Sequence, residues 1–254
     1  MKMPRWFAAA CLTLAAPQLM ATVTVEGEVL QPGTYELTPD ARLSNAAIGA
    51  QVSQRAWPLG AAWLRDSQRE PQTRLKAGLL FDLQLAAVNI QRQRDTEAAQ
   101  LLYRIRDQVD QMPVTGRVPA DLTPLQLLLI ENNFLLESGD RLIYPRRPHQ
   151  VRVMGAVKAD CSLTFDANLS VRDYLRQCPA HSLADPSFAW VIQPDGTYQQ
   201  VGIGPWNLEP ATVAVGAVIY QPILQRLLSD TEDLNADMAA WLATQYTLGG
   251  VFDE

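Results

Sequence analysis

Short runs in which apolar and polar residues alternate recur in the same order at two places in the chain, and between and after them the apolar period lengthens to three and four. Residues 25–29, a Pro32-Gly33 turn and residues 34–37 predict a β-hairpin, and Leu43-Ser44-Asn45-Ala46 predicts the start of a helix. The order returns in Val153-Met154-Gly155-Ala156-Val157, the turn 158–160, residues 162–165 and the run from Leu169-Ser170 to Leu175. In both copies a serine follows a leucine at the helix start, where its hydroxyl can accept from orphan amides. Each copy also closes alike: residues 138–145 and 215–222 both place a turn glycine before an apolar strand that a proline ends. Two similar modules of hairpin, helix and further strands are expected, an α+β arrangement, and not one continuous sheet.

In the second module, residues 188–192, the turn Pro194-Asp195-Gly196 and residues 198–203 predict a further hairpin. The first module is longer because something is inserted. Leu75, Leu79, Leu83, Ala86 and Ile90, then Ala98, Leu102, Ile105, Val109 and Met112, recur at helical spacing, with a short break near residues 93–96, so two helices should fold back as an antiparallel hairpin. Their arginines, Arg92, Arg94, Arg104 and Arg106, are read as solvated. A last amphipathic helix is expected over about 223–247, ending before Gly249-Gly250, with Leu224, Leu228, Met238, Trp241 and Leu242 on one face. Its polar face is acidic, unlike that of a lipid-seeking helix; the apolar stripe is read as packing on the protein's own domains, with a docking or oligomerisation helix as the alternative. The expected divisions are a leader at 1–21, a first module at 22–147 with the insertion at about 67–112, a second module at 148–222, and the helix and tail at 223–254.

The first residues, 1–21, pair a basic start, Lys2 and Arg5, with an apolar run and a small residue at Ala21, as a secretory signal peptide does. Cys11 lies inside that run, not at its end, which argues against a lipoprotein. No later segment is long and uncharged enough to span a membrane. The 254 residues, 48% apolar and 19% charged, suffice for two cores and exclude disorder. With Lys2 and Arg5 set aside, 19 basic residues face 27 acidic ones, which argues against a nucleic-acid or anionic-membrane partner held by bulk charge. Export places the remaining cysteines, Cys161 and Cys178, in an oxidising compartment. A strand from Cys161 rises ~13 Å and a helix back to Cys178 rises ~12 Å, so their sulfurs can meet as a structural staple.

Catalytic chemistry has little to stand on. His149 and His181 lack a serine or carboxylate at nucleophilic spacing, and no metal-ligand cluster or phosphate loop is present. Asp230, Glu232 and Asp233 stand at a helix start, where acids favour the dipole and need no glycosidic role. No catalytic residue, metal or cofactor is therefore expected.

Trp57-Pro58-Leu59-Gly60-Ala61 before the insertion, Thr115-Gly116-Arg117 after it, Gly155-Ala156-Val157, Ile192-Gln193-Pro194-Asp195-Gly196 and Trp206-Asn207 together make the chain similar to the GfcC-like capsule biosynthesis proteins. It departs from that pattern at its cysteine pair and at Lys158-Ala159-Asp160, which lacks the usual turn glycine. The resemblance implies two β-grasp domains of the SLBB-like kind, as in the periplasmic domains of Wza-type outer-membrane exporters. It also implies a periplasmic accessory, expected as a monomer, whose partner is polysaccharide or the outer-membrane export machinery. Arg117 is left with two readings: its donors clamp an acidic sugar or phosphate, or they tie the junction between insertion and strand. The resemblance tips it toward a ligand site in a cleft between helical hairpin and module. Trp57, Trp63, Trp190 and Trp206 are aromatic candidates for a sugar face, against a core role for each.

Overall fold

The computed structural model describes residues 21–36, 38–228, 231 and 233–246. The leader up to Met20 with Cys11, the acids Asp230 and Glu232, and the Gly249-Gly250 stop lie outside the described residues. Strands β1 (Thr22–Gly27), β2 (Gly33–Glu36), β3 (Ala62–Leu64), β4 (Arg117–Val118) and β5 (Arg141–Tyr144) form one sheet in the order β2-β1-β5-β3-β4. Strands β6 (Gln150–Gly155), β7 (Cys161–Thr164), β8 (Phe188–Ile192), β9 (Tyr198–Gly202) and β10 (Val218–Gln221) form a second, in the order β7-β6-β10-β8-β9. In each, the first and last strands lie parallel and the other neighbours antiparallel.

The repeat extends to register. Gly27 stands opposite Tyr144, and Gly155 opposite Gln221. Both glycines have positive φ, 93° and 101°, and the next amide donates to the opposing carbonyl at 2.7 and 2.8 Å. A Cβ at either position would collide with that carbonyl, so the turn-out from the first strand demands glycine in both copies.

Helices α1 (Leu43–Ala50) and α4 (Val171–Gln177) cover one face of each sheet. Ser170 caps α4 as the pattern predicts, its hydroxyl accepting from the Asp173 amide while Asp173 accepts from the Ser170 amide. Ser44 does not cap α1. The helix begins one residue earlier, Asn45 Oδ1 accepts from the Arg42 amide at 2.8 Å, and Asn133 Oδ1 takes the Ser44 amide.

Helices α2 (Arg69–Arg92) and α3 (Thr96–Gln111), joined by three residues, pack on each other through the expected apolar positions. Their shared core does not stop there: Met154, Ile192, Val218 and Tyr220 from the second sheet and Met238, Trp241 and Leu242 from α5 (Leu234–Ala243) belong to the same cluster. Helices inserted in the first module thus cover the second module's sheet. Arg104, expected to be solvated, is half-buried in this contact and donates to the carbonyls of Gly155, Val157 and Lys158 beyond the end of β6.

The long last helix is corrected to ten residues. Leu224 instead donates to the Leu183 carbonyl, Ile223 bridges Ala184, and buried Asn235 holds the Ile223 amide at 3.0 Å and carbonyl at 2.8 Å, so the chain after Pro222 finds partners outside a helix. α5 is buried on most of its surface, not on one stripe. Among the described residues no helix is long and apolar enough to cross a membrane.

Cys161 and Cys178 form a disulfide, their Cα atoms 5.9 Å apart, joining β7 to the end of α4. Closing a loop of this length stabilises the fold by about 3 kcal/mol. Replacing both cysteines by alanine should lower the melting temperature by roughly 10 °C; an unchanged thermal denaturation curve would contradict the staple.

Where α2 meets α5, burial lifts the Asp82 carboxyl, with Asp233 adding to it, and burial, then Asp233 and Asp82, lift that of Asp237. Carboxyls raised above their unfolded values bind more protons in the native state, so their contribution to stability improves as pH falls toward the carboxylate range. Asp237→Asn should therefore raise the melting temperature at pH 7 and flatten the gain expected of the parent protein as pH falls toward the carboxylate range. A lower value for the variant at pH 7 would refute the repulsion.

Candidate functional site at the junction of the modules

Arg117 lies where the two sheets and the end of α5 converge. It is 3% exposed. The approach to it is built from buried polar groups. Gln72 on α2 accepts from the Gly116 amide at 2.8 Å and donates to the Arg117 carbonyl at 2.9 Å, and Thr115 Oγ1 donates to the Thr244 carbonyl at 2.7 Å. The guanidinium then reaches three segments. Nη1 donates to the carbonyls of Gln245 at 3.1 Å and Ala243 at 3.4 Å, while Nη2 donates to Ala61 at 3.4 Å and to Pro194 in the β8–β9 turn. Nε has no hydrogen-bond partner. Burial pushes the guanidinium down to about 10, against the pull of Asp195 and Tyr246, so it stays charged at neutral pH.

The donors that could have met an acidic sugar are thus held by main-chain carbonyls. The guanidinium ties β4 to Ala61, Pro194 and the segment after α5 through main-chain carbonyls, and not the insertion to the strand through a carboxylate. The planar fork suits the task, because several acceptors on separate segments can be met at once.

Trp57 stands beside Arg117's end of the junction and is also interior. Its six-membered ring lies against both Gly60 and Gly216 of the second module, where a Cβ would have no room. The crevice between Trp57, Pro194, Gly216, Gln245 and Tyr246 has about 20 Å³, space for a water molecule and far below the volume of a ligand pocket. Trp63 is 3% exposed, stacks on Phe134 with centroids 5.7 Å apart and carries the Arg65 guanidinium 4.3 Å from its ring. Trp190 is half-buried, with the Tyr198 ring 5.9 Å away. Neither Trp57 nor Trp63 offers a face to a sugar. Trp206 does: it is 72% exposed, on a loop pinned by Asn207, which accepts from the Gly204 amide at 3.0 Å and donates to the Ser187 carbonyl at 2.9 Å. The structure does not bring these four tryptophans together with Arg117 into one site.

Two features escaped the pattern. Gln72 falls on the apolar stripe of α2, three residues before Leu75 and seven before Leu79. A polar residue there signals a buried hydrogen bond, and it could have been found on that ground. The other is a surface: Ile48, Leu125 and Leu128 are each at least 70% exposed and line a groove of about 330 Å³ between α1 and residues 124–128, with exposed Leu30 beside it. Leu125 and the apolar run 127–130 are its signal, and they carry neither a helical nor a strand period.

Residues 159–246 match the family described as capsule biosynthesis GfcC C-terminal. Over 232 residues the chain is 28% identical to YjbG, an uncharacterised protein of Escherichia coli (strain K12), covering 89% of this chain and 92% of that protein. The resemblance read from the residues therefore holds over residues 159–246, from β7 through α5, the stretch that supplies Pro194, Gly216, Ala243 and Gln245 to the junction.

Arg117→Ala leaves those carbonyls buried without donors and should cost about 3 kcal/mol of stability. Arg117→Lys should recover little of it, since one ammonium cannot reach carbonyls on three segments. Denaturant titration of both variants checks this, and a parent-like midpoint for Arg117→Ala would reject the tie.

Proposed function

We propose that this chain, whose residues 159–246 match the capsule biosynthesis GfcC C-terminal family, is a non-catalytic periplasmic accessory in the assembly or export of a capsule or exopolysaccharide. That match is the observation that carries the reading. The shared strand order and register of the two sheets support taking residues 22–147 and 148–222 as two β-grasp, SLBB-like domains, with α2 and α3 as a helical hairpin inserted in the first. The Cys161–Cys178 disulfide supports an oxidising compartment, and with the leader at 1–21 that compartment is the periplasm.

The protein works as a monomer by contact with polysaccharide or with a component of the outer-membrane export machinery. Exposed Trp206 supports the first, as an aromatic face on which a sugar can stack. The exposed apolar groove beside α1 supports the second, since contiguous apolar surface of this kind marks association. The buried Arg117 tie holds the two modules as one unit for either contact.

In-frame deletion of the gene should abolish or sharply reduce surface polysaccharide while leaving its intracellular precursors, and the exported protein should restore it. Unchanged surface polysaccharide in the deletion strain would overturn the reading. Release of reducing ends from purified polymer by the protein would replace it with a polysaccharide-modifying enzyme, and elution as a large assembly in gel filtration with a self-assembling scaffold.

A further inference from the structure

Another cavity lies on the far side of Gln245 from the junction crevice, between the C-terminal end of α3 and the second sheet. It has about 240 Å³, opens broadly to solvent, and is lined by Gln108, Gln111, Met112, Arg152, Asp160 and Gln245 among others. Its position follows from strand alternation. Val151 and Val153 of β6 point into the core under α4, so Arg152 and Met154 point to the opposite face, under α3. There α3 ends at Gln111 and the chain leaves the helical path at Met112-Pro113, leaving part of the sheet face open to the cavity. Met154 and Met112 form the apolar part of the lining, and the amides, guanidinium and carboxylate form its polar part.

The polar groups are held in place from behind. Gln108 Nε2 donates to Asp160 Oδ2 at 3.0 Å, and Gln245 Nε2 donates to the Pro113 carbonyl at 3.2 Å and to Thr244 Oγ1 at 2.8 Å, which leaves each amide oriented before any ligand arrives. Asp160 Oδ1 sits in the wall without a hydrogen-bond partner. Burial lifts the Asp160 carboxyl above the ordinary range, against the pull of Arg104, Arg152 and the Gln108 amide.

We propose that this cavity binds a single hydroxyl-bearing sugar ring. The three carboxamide oxygens can accept, and Gln111 with the second N–H of Gln108 can donate, which matches vicinal hydroxyls that must both donate and accept. Arg152 and Asp160 give the lining one charge of each sign, so it selects for hydroxyls and not for net charge. The methionines meet the ring's CH face. A few oriented polar groups over an apolar floor are the ordinary composition of a small-ligand site. That the ring belongs to an exported polymer rests on the function proposed above; that the cavity takes a sugar does not.

The test is amide-shift mapping of the isotope-labelled exported protein. The probes are oligosaccharides released by mild acid from the producing strain's own surface polysaccharide, alongside methyl glucoside, methyl galactoside and glucuronic acid. Saturable shifts confined to residues 108–113 and 152–160 are expected. They should weaken at least tenfold in Gln111→Ala, an exposed position whose replacement leaves the melting temperature unchanged, and in Gln108→Leu. Stronger binding of the oligosaccharides than of the simple sugars identifies the polymer as the source; equal binding identifies a free sugar. No saturable shift at these residues with any probe at millimolar concentration overturns the site, as does binding that Gln111→Ala leaves intact. Binding here in a protein whose deletion spares surface polysaccharide would keep the site and discard the export role; absence of binding beside a deletion defect would do the reverse.

Discussion

The second sheet is apolar on both faces, and a sheet of that kind must be covered twice. α4 covers Val151, Val153, Val191 and Ile219; the opposite face, with Met154, Ile192, Val218 and Tyr220, is covered by α2, α3 and α5. Because α2 and α3 are inserted between strands of the first sheet, burying that face also fixes one module against the other. The junction inherits its geometry from this requirement. Trp57 can wedge against Gly216, and Arg117 can reach Pro194 and Gln245, because the helical layer has already brought those segments close.

A buried cation without a carboxylate on it would be costly if its donors faced apolar atoms. Here carbonyl dipoles from Ala61, Pro194, Ala243 and Gln245 surround it, and the lowered proton affinity of Arg117 records how far it has been taken from water. The interior of the junction is therefore filled with structural hydrogen bonds and has water-sized space at most. Chemistry directed outward falls to the periphery: Trp206 on its pinned loop, the groove beside α1, and the amide-lined cavity past the end of α3. Each sits where one element stops and the layer beneath it is left partly open.

Local signals made much of the architecture legible. Turn glycines, prolines after strands and the alternation of apolar residues revealed the repeated order of elements that the two five-stranded sheets share, since each depends on the backbone geometry of a few consecutive residues. The helical period from Leu75 to Met112 marked α2 and α3, with the same positions buried. The Cys161–Cys178 pair followed from two short elements whose lengths bring their ends together. The last helix was misread for a related reason: an amphipathic pattern over 223–247 is also what a bridge, a turn and a short buried helix produce when Asn235 satisfies the backbone of Ile223.

What Arg104, Arg117 and the tryptophans do was decided by tertiary structure, whereas the Ser170 cap was a local matter. Arg104, Arg117, Trp57 and Trp63 look alike as candidates in a linear chain, because exposure and partners are not properties of a residue type. Arg117 meets carbonyls 77 and 128 positions away, and Arg104 meets carbonyls more than 50 positions away. No periodicity encodes such distances. The sequence by itself determined most of the local elements and that their order repeats; the demand for a second cover on the second sheet decided how the two copies meet, and with that which side chains are walls and which remain open to a ligand.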